Sequence, residues 1–597
     1  MGSKKKRKRE ARRTSNQTPP AEAKRAAARP TISVCMIVRD EEEFLEECLS
    51  SVGNVADEIV VVDTGSTDRT VQIAESHGAL VYTHNWNDNF SEARNKSIDL
   101  AKGDWVLILD ADERLDEASK SVILDAVRDD RYDLYRVCQR SWTSDSHGPD
   151  IVNNQTYRLW RNRPYYRYRG RVHESITGAI KESGGNTAAL HAVIHHLGYR
   201  PETARKRCKY QRNTRLVQAE LEQRPHDLHY IYHQAMEFYV NGELDKALPF
   251  FEQAAALISP EQETAPTIYA DLSSIQCSLG DPQKALATVR SAEDKRMRHP
   301  ELAFSKGRSL LALSRFREAQ EAFQRAIRLG QSREWLGDVT VSTYKANWGL
   351  AAANLGLGNY ETAIRFGLLA LAEKPDHAAT HQVLADAQAR LDRWDESEKH
   401  LKRVLELEPG DVTATMQLAA IRERQERYPE AQDLYASLVQ SGFDSAELRL
   451  RMGVDAEAAG DPDSAEEHYV RAIELAADCM AALNNLGLLR AARGHVSEGI
   501  QCLAKAIETC PDYANSYFNT GDLLYSAGDY KAAAEFYDDG LLRSPQYAPG
   551  FFTLGNCYFQ MGAYKAAAMA YRRALALRPD YAEAQHNLQL VEQAEAA

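Results

Sequence analysis

The chain of 597 residues lacks several features that would place it in familiar classes. No apolar run approaches the roughly 18 residues that a membrane-spanning helix needs, so the sequence predicts no transmembrane segment. The basic amino terminus is not followed by the apolar stretch of a secretory signal. The nine cysteines include no Cys-x-x-Cys pair. This argues against a zinc site or a disulfide framework, and favours reduced thiols and a cytoplasmic location.

Acidic charge dominates, and it is unevenly distributed. The net charge is −13, whereas residues 1–30 carry about +9, with eleven Lys or Arg and two Glu. The acidic remainder is poorly suited to general nucleic-acid binding. Residues 1–30 have no apolar periodicity and are predicted to be a disordered basic tail. A solvated tail, a nuclear-import signal, and contact with membrane or nucleic acid are left open for Lys4 to Arg9.

Residues 31–109 alternate between short apolar runs and segments with helical spacing. Such alternation predicts βαβ units and a parallel sheet, in an α/β domain extending over residues 31–200. The predicted strands are Ile32–Val38, Glu58–Asp63, Leu80–Tyr82 and Trp105–Leu109, and the predicted helices are Glu41–Val52, a segment ending at His77, and Ser91–Ala101.

Acidic side chains follow three of these strands at the point where each strand ends. They are Asp40 after the first strand, Asp63 at the end of the second, and the pair Asp110 and Asp112 after the fourth. Open α/β sheets bind ligands outside the carboxyl ends of their strands. Mg²⁺ is commonly held by one or two carboxylates together with substrate phosphates. The pattern favours a nucleotide-sized crevice, although it matches neither a Gly-x-Gly-x-x-Gly fingerprint nor a P-loop.

Four motifs in order resemble the family 2 glycosyltransferases of the GT-A (Rossmann-like) fold. The segments are Val34-Cys35-Met36-Ile37-Val38-Arg39-Asp40-Glu41-Glu42, Asp57-Glu58-Ile59-Val60-Val61-Val62-Asp63-Thr64-Gly65-Ser66-Thr67-Asp68, Asn89-Phe90-Ser91-Glu92-Ala93-Arg94-Asn95 and Asp110-Ala111-Asp112-Glu113. The resemblance covers about residues 31–200. It implies an enzyme that transfers a sugar from a nucleotide diphosphate sugar, with inversion, and that depends on Mn²⁺ or Mg²⁺.

The same resemblance implies a role for each motif residue. Asp63 would accept hydrogen bonds from the nucleotide base, and Asp40 would line the same pocket. Arg94 would reach the nucleotide, and Asp110 the ribose or the metal shell. Asp112 would hold the divalent cation against the diphosphate, where it neutralises charge on the leaving group.

A later stretch, Tyr168-Arg169-Gly170-Arg171-Val172-His173-Glu174, resembles the Gly-x-Val-His-Glu segment of a bacterial subgroup of the family. That subgroup includes lipopolysaccharide-core and protein glycosyltransferases. The resemblance implies that His173 is a third metal ligand or a diphosphate contact, and that Glu174 is the general base. A structural His–Glu pair is the alternative.

The second half of the chain has a period of 34 residues. Pro375, Pro409, Pro511, Pro545 and Pro579 fall on this period, and Gly555, Tyr558, Ala567 and Tyr571 follow the tetratricopeptide pattern. After a helical connector over 201–224, the sequence therefore predicts an all-α superhelix of about ten units over 225–597. Predicted unit starts are near 225, 264, 299, 341, 375, 409, 443, 477, 511 and 545, with a capping helix after Pro579.

Together these features predict a glycosyltransferase whose protein or peptide acceptor is recruited by the repeats. Three alternatives stay open: an acceptor that is a lipid-linked or cell-envelope glycan, a scaffold with a catalytically silent transferase domain, and repeats that act only as a spacer or dimerisation arm. Formation of a homo-oligomer is also left open.

Overall fold

The computed structural model describes residues 29–142, 151–197, 203–331 and 337–596. Nearly all of the predicted basic tail therefore lies outside the described residues. The chain divides into two compact units. The first contains residues up to 357 together with 369–375, and the second contains 358–368 and the residues from 376 onwards. The first unit holds all of the sheet and the opening repeats.

The strands of the first unit form one mixed sheet. In chain order they are β1 (Ile32–Val38), β2 (Glu58–Asp63), β3 (Leu80–Thr83), β4 (Trp105–Ile108), β5 (Glu113–Leu115), β6 (Leu134–Trp142), β7 (Ile151–Arg161), β8 (Thr187–His196) and β9 (Gly337–Asp338). Their spatial order is β3-β2-β1-β4-β7-β6-β8-β5, and β9 pairs with β7. The first four strands in this order are parallel, as the βαβ alternation predicts.

Six helices accompany the sheet: α1 (Leu45–Val52), α2 (Thr70–Ser76), α3 (Phe90–Leu100), α4 (Glu117–Ala126), α5 (Thr177–Ser183) and α6 (Thr203–Gln223). Helix α1 buries Leu45, Cys48, Leu49 and Val52 against the sheet. Helix α3 begins at a cap, because the Asn89 side chain accepts a hydrogen bond from the backbone N–H of Glu92.

The order of the parallel strands reverses beside β1. The chain runs outward from β1 to β2 and β3, and then crosses back to place β4 on the other side of β1. Loops that leave neighbouring strands in opposite directions open a crevice at the carboxyl ends of those strands. Asp63 ends β2 at this edge, and Asp40, Asp110 and Asp112 follow the ends of β1 and β4. The fold therefore places the predicted acidic clusters along one crevice.

Helices α7 to α12 and α15 to α26 pack as consecutive pairs, and α27 follows the last pair. The first unit contains α7 (Leu228–Val240), α8 (Leu244–Leu257), α9 (Ala265–Ser278), α10 (Pro282–Asp294), α11 (Pro300–Ala312), α12 (Phe316–Gly330) and α13 (Tyr344–Gly356), and α14 (Tyr360–Glu373) has residues in both units. The second unit continues with α15 (Ala378–Ala389), α16 (Trp394–Leu407), α17 (Val412–Arg424), α18 (Tyr428–Gln440), α19 (Ala446–Ala458), α20 (Pro462–Leu475), α21 (Met480–Ala492), α22 (Val496–Thr509), α23 (Ala514–Ser526), α24 (Tyr530–Arg543), α25 (Ala548–Gln560), α26 (Tyr564–Leu577) and α27 (Ala582–Ala596). Each pair begins shortly after one of the predicted unit starts.

Small residues allow the two helices of a repeat to approach. A Cβ atom added at Gly555 would lie 2.6 Å from the ring of Tyr571, and one at Gly453 would lie 2.5 Å from Tyr469. Both tyrosines are fully buried. Substituting alanine at such a glycine would force the ring to move, which in packed interiors costs about 1–3 kcal/mol. The glycine and aromatic positions of the period thus have a packing origin.

The segment between α12 and α13 adds strand β9, which the helical periodicity did not predict. Asp338 pairs with Val152, and Gly337 pairs with Asn153, so the segment between α12 and α13 adds a strand to the sheet at β7. Glu301 of α11 supports this strand, because its Oε1 accepts a hydrogen bond of 2.8 Å from the backbone N–H of Asp338. Gly337 has φ +117°, and an added Cβ would lie 2.3 Å from the Glu301 carboxylate.

The Glu301→Gln variant is expected to reduce the loss of stability at alkaline pH. Burial raises the pKa of Glu301 from 4.5 to about 8, and the charge of Asp271 adds to the shift. Between these two values the folded state keeps a proton that the unfolded chain releases, so the free energy of unfolding falls as pH rises. Glutamine removes this dependence while keeping an oxygen acceptor for β9.

Thermal denaturation of wild type and Glu301→Gln at about pH 6 and about pH 9 measures this effect. The difference in stability between the two pH values should shrink in the variant by on the order of 1–3 kcal/mol. An equal difference in both proteins would show that Glu301 does not carry the buried proton.

Candidate active site

The loops after β1 and β2 are joined to each other at the crevice. The backbone N–H of Asp40 donates to Ser66 Oγ at 3.0 Å, and Asp40 Oδ1 accepts from the backbone N–H of Thr67 at 2.7 Å. Asp40 itself has φ +52°, a left-handed conformation that is uncommon for residues other than glycine. Such backbone strain clusters at functional sites. The structure thus places Asp40 and the Asp63 turn side by side.

Asp63 lies at the bottom of the second loop and is only 6% exposed. Its carboxylate accepts hydrogen bonds from the backbone N–H groups of Gly65 at 3.2 Å and Ser66 at 3.1 Å. This bonding fixes the turn that leads into α2. Any contact of Asp63 with a ligand would therefore be made by a carboxylate that the backbone already orients.

Arg94 links two predicted site residues. Its Nη2 lies 2.7 Å from Asp110 Oδ1, and its Nε donates to Glu174 Oε1. The side chains of Arg94 and Glu174 are each 11% exposed. Arg94 comes from α3, Asp110 from the end of β4, and Glu174 from the loop before α5. The structure therefore brings Arg94, Asp110 and Glu174 together as one ion-paired triad.

Asp110 stays ionised despite its burial. Burial alone would raise the pKa of Asp110, but the guanidinium groups of Arg94 and Arg158 hold it well below the usual range. Arg158 Nη2 lies 3.5 Å from Asp110 Oδ2. Both carboxylate oxygens of Asp110 thus face a cation from the protein itself.

Glu113 is a site residue to which the sequence assigned no role. It is fully buried, and its Oε1 accepts from Arg158 at 2.7 Å and from Gln139 at 2.6 Å. Its Oε2 accepts from the backbone N–H of Asp110 at 2.9 Å, and burial raises its pKa. Glu113 therefore supports the turn that carries Asp110 and Asp112.

His196 is a second residue that the sequence did not assign. It ends β8 and pairs with Glu113 of β5, which places its Nε2 3.4 Å from Asp112 Oδ2. Burial alone would lower the pKa of His196, but the hydrogen bond and charge of Asp112 give a net rise. The only sequence signal was the pair His195-His196 at the end of a strand.

His173 lies against helix α7 rather than within the triad. Its ring stacks on His233 at a centroid distance of 3.8 Å, and its Nε2 is 3.3 Å from Glu237 Oε1. Within residues 29–142, 151–197, 203–331 and 337–596, no three His, Cys, Asp or Glu side chains are arranged to hold a metal ion. Asp110, Asp112 and His173 are therefore not assembled as one set, and their metal roles remain predictions.

Comparison with protein-family models identifies the family of the amino-terminal domain and that of the helical repeats. Residues 33–185 match the model of glycosyl transferase family 2. Residues 278–333, 304–378, 383–445, 450–514 and 488–549 match a tetratricopeptide repeat model, and residues 555–591 match a second one. The chain carries a family 2 glycosyltransferase domain followed by tetratricopeptide repeats. This confirms the resemblance drawn from the strand-end motifs and from the 34-residue period.

Curated relatives of this chain include bacterial and phage proteins. A TPR repeat-containing protein of Synechococcus elongatus is 32% identical over 275 residues, which cover 45% of this chain and 66% of the relative. The SPbeta prophage-derived glycosyltransferase SunS of Bacillus subtilis is 25% identical over 227 residues, which cover 38% and 53%. An uncharacterized glycosyltransferase of Rickettsia bellii is 38% identical over 114 residues, covering 18% and 37%. The chain thus spans about two thirds of the first relative's length and about half or less of the others'.

Among solved structures, the APC/C hetero-tetramer Cut9-Hcn1 matches 65% of this chain and 94% of that chain at 14% identity, with a TM-score of 0.31. The TPR protein YrrB matches 37% and 96% at 19% identity, with a TM-score of 0.27. In the described part of the chain, no helix is both long enough and apolar enough to cross a membrane.

Proposed function

We propose that this protein transfers a sugar, with inversion, from a nucleotide diphosphate sugar to a protein or peptide acceptor. The observation that carries the proposal is the ion-paired triad of Arg94, Asp110 and Glu174, which lies in the crevice of a family 2 domain. The donor would lie across the loops of Asp40 and Asp63 and reach Arg94 and Asp110. The repeats would bind the acceptor.

Asp112 is the proposed ligand of the cation, Mn²⁺ or Mg²⁺. Such ions use one or two carboxylates and complete their shell with substrate phosphates, so one partly exposed acid at the crevice suffices. The His196 ring next to Asp112 would orient that carboxylate, as residues that contact a metal ligand from behind commonly do. Once bound, the ion would stabilise the negative charge of the departing nucleoside diphosphate.

Glu174 is the proposed general base. The acceptor nucleophile would attack the anomeric carbon while the bond to the diphosphate breaks, and its proton would pass to Glu174. The contact with Arg94 uses Oε1 of Glu174, so the proton would go to Oε2. General bases of this kind contribute about 10²–10⁴-fold to a rate.

Substitutions at Asp63 test the donor pocket. If Asp63 reads the nucleotide base, Asp63→Ala should weaken the affinity for the free nucleotide by about 1.5–3 kcal/mol, the value of a charge-assisted hydrogen bond. Asp63→Asn is the matched control for the turn, because its side-chain oxygen can still accept from Gly65 and Ser66. Titration calorimetry should show weakened binding in both variants. Full affinity in Asp63→Asn would limit Asp63 to shaping the turn.

Intact-mass spectrometry of acceptors tests the proposed function. Proteins captured by the full-length chain would be incubated with the chain and each nucleotide sugar, and Asp112→Ala would serve as the inactive control. An added mass of one sugar residue on a captured protein, absent with the variant, is the expected result. Transferred sugar recovered only in a lipid or glycan fraction would show that the acceptor is not a protein.

A further inference from the structure

Helix α7, the first helix of the repeats, presents three polar side chains to the transferase loop that contains Glu174. His229, His233 and Glu237 are spaced four residues apart, so they lie along one face of the helix. All three contact His173, the residue immediately before Glu174. The sequence pattern of the repeats does not require histidine at these positions.

The contacts hold both the backbone and the ring of His173. Nε2 of His229 lies 2.7 Å from the carbonyl oxygen of His173. Because a carbonyl oxygen can only accept, Nε2 of His229 carries the proton of this hydrogen bond. The rings of His173 and His233 are stacked with an interplanar angle of 8°. One helix therefore hydrogen-bonds to the main chain of His173 and also covers its side chain.

His173 needs this support because its backbone is strained. Its φ of +48° is left-handed, a sparsely populated backbone region that is unfavourable for a non-glycine residue. Such a conformation persists only where its surroundings impose it. The packing of Val172 against Leu216, Val217 and Tyr230 fixes the preceding residue in the same way.

The strained residue connects the repeats directly to the triad. From His173 the chain passes to Glu174, which is bonded to Arg94, and Arg94 is paired with Asp110 at the end of β4. A shift of the His173 backbone would move Glu174 first, because the two residues are adjacent. Displacements of about 1 Å at a reacting group can cost about 10²-fold in rate.

We infer that the first repeat helix is part of the catalytic centre, with His229 and His233 acting as positioning residues that hold the His173–Glu174 loop in its productive conformation. This inference rests on the proposed glycosyl transfer. It gives the repeats a role in the chemistry that is separate from acceptor binding.

Steady-state kinetics of donor turnover by the full-length chain test the inference. His233→Ala and His229→Ala should each lower kcat about 10-fold or more, while KM for the nucleotide sugar changes by less than about twofold, because Asp63 and Asp112 lie outside the loop. His233→Phe keeps a flat ring for the stack, and His229→Gln keeps an N–H donor, so both should recover most of kcat. His77→Ala is the matched control, because the His77 ring contacts the carbonyl of Ile73 at the C-terminal end of α2. It should behave as wild type.

Amide hydrogen exchange of the peptide that covers residues 168–176 gives a readout that does not depend on activity. In wild type the N–H of Arg171 donates to Glu220 and that of Ser175 to the carbonyl of Arg169. His233→Ala should speed exchange in this peptide, and His233→Phe should restore the protection. Unchanged exchange and unchanged kcat in folded His229→Ala and His233→Ala would overturn the inference. A different outcome is that folded wild type turns over no nucleotide sugar, while His233→Ala still exchanges faster than wild type in this peptide. That outcome would refute the proposed function and leave the positioning contact established.

Discussion

Asp112→Ala is expected to lower the turnover of a nucleotide sugar by about 10²–10³-fold, the usual loss when one electrostatic stabiliser of a transition state is removed. Asp112 follows the turn after β4, and its carboxylate lies beside His196 at the crevice. Without it the divalent cation would lose its protein ligand, and the charge on the departing diphosphate would not be neutralised. The fold should survive, because the buried bonds of this turn are made by Glu113 rather than by Asp112.

The measurement is the release of nucleoside diphosphate across a titration with Mn²⁺. Asp125→Ala, which removes an exposed carboxylate from α4, is the matched control and should retain full activity. Activity in Asp112→Ala that still saturates with metal would remove Asp112 from the cation site.

Arg94→Ala is expected to have the largest effect on stability. The guanidinium group lies between Asp110 and Glu174, so alanine would leave the mostly buried carboxylate of Glu174 without this cation and Asp110 with Arg158 alone. Breaking a buried ion pair from one side costs about 3–5 kcal/mol. Nucleotide affinity should fall as well, because the Asp110 carboxylate would lose its orientation. Arg94→Lys should show an intermediate effect, since an ammonium group cannot reproduce the forked geometry that meets both acids.

Denaturant unfolding followed by circular dichroism measures the loss of stability, and titration calorimetry with nucleotide measures the loss of nucleotide affinity. Arg131→Ala is the control, because Arg131 forms an exposed pair with Asp129 at 2.7 Å. Exposed pairs contribute little, so this variant should unfold like wild type. An Arg94→Ala protein as stable as wild type would show that the triad is not a buried ion-pair network.

The elements that the sequence predicted well are those encoded by local patterns. The apolar runs at β1, β2 and β4 and the helical spacing of α1 each lie within a dozen residues, and the parallel sheet follows from their alternation. The repeats could be predicted equally well, because glycine and aromatic positions recur every 34 residues. In such a unit the aromatic ring packs where the glycine leaves room between the two helices.

The arrangement of the site could not be predicted in the same way, because it depends on contacts between distant residues. Glu174 reaches Arg94 across 80 positions, and His196 reaches Asp112 only through the pairing of β8 with β5. Histidine is a residue type suited to metal binding, yet the ring of His173 lies against α7. Strand β9 arises from an insertion between repeats and has no apolar run of its own.

Helix α7 and strand β9 contact the transferase fold at two places, α7 at the His173 loop and β9 at the edge of β7. A fragment that ends before α7 would lose both contacts and expose Val172, Leu216 and Val217, which Tyr230 now covers. The full-length chain is therefore the appropriate material for every activity measurement. Substitutions within α7 are better probes of coupling than truncations are.

The most direct test of the central claim is the release of nucleoside diphosphate from a panel of nucleotide sugars by the full-length chain, in Mn²⁺ or Mg²⁺ and again in a chelator. At least one donor should be turned over, and turnover should saturate with donor and with metal. Asp112→Ala should lower it by about 10²–10³-fold, while Asp125→Ala should leave it unchanged. A folded chain that neither binds nor turns over any uridine, guanosine, cytidine, adenosine or thymidine diphosphate sugar would contradict the claim.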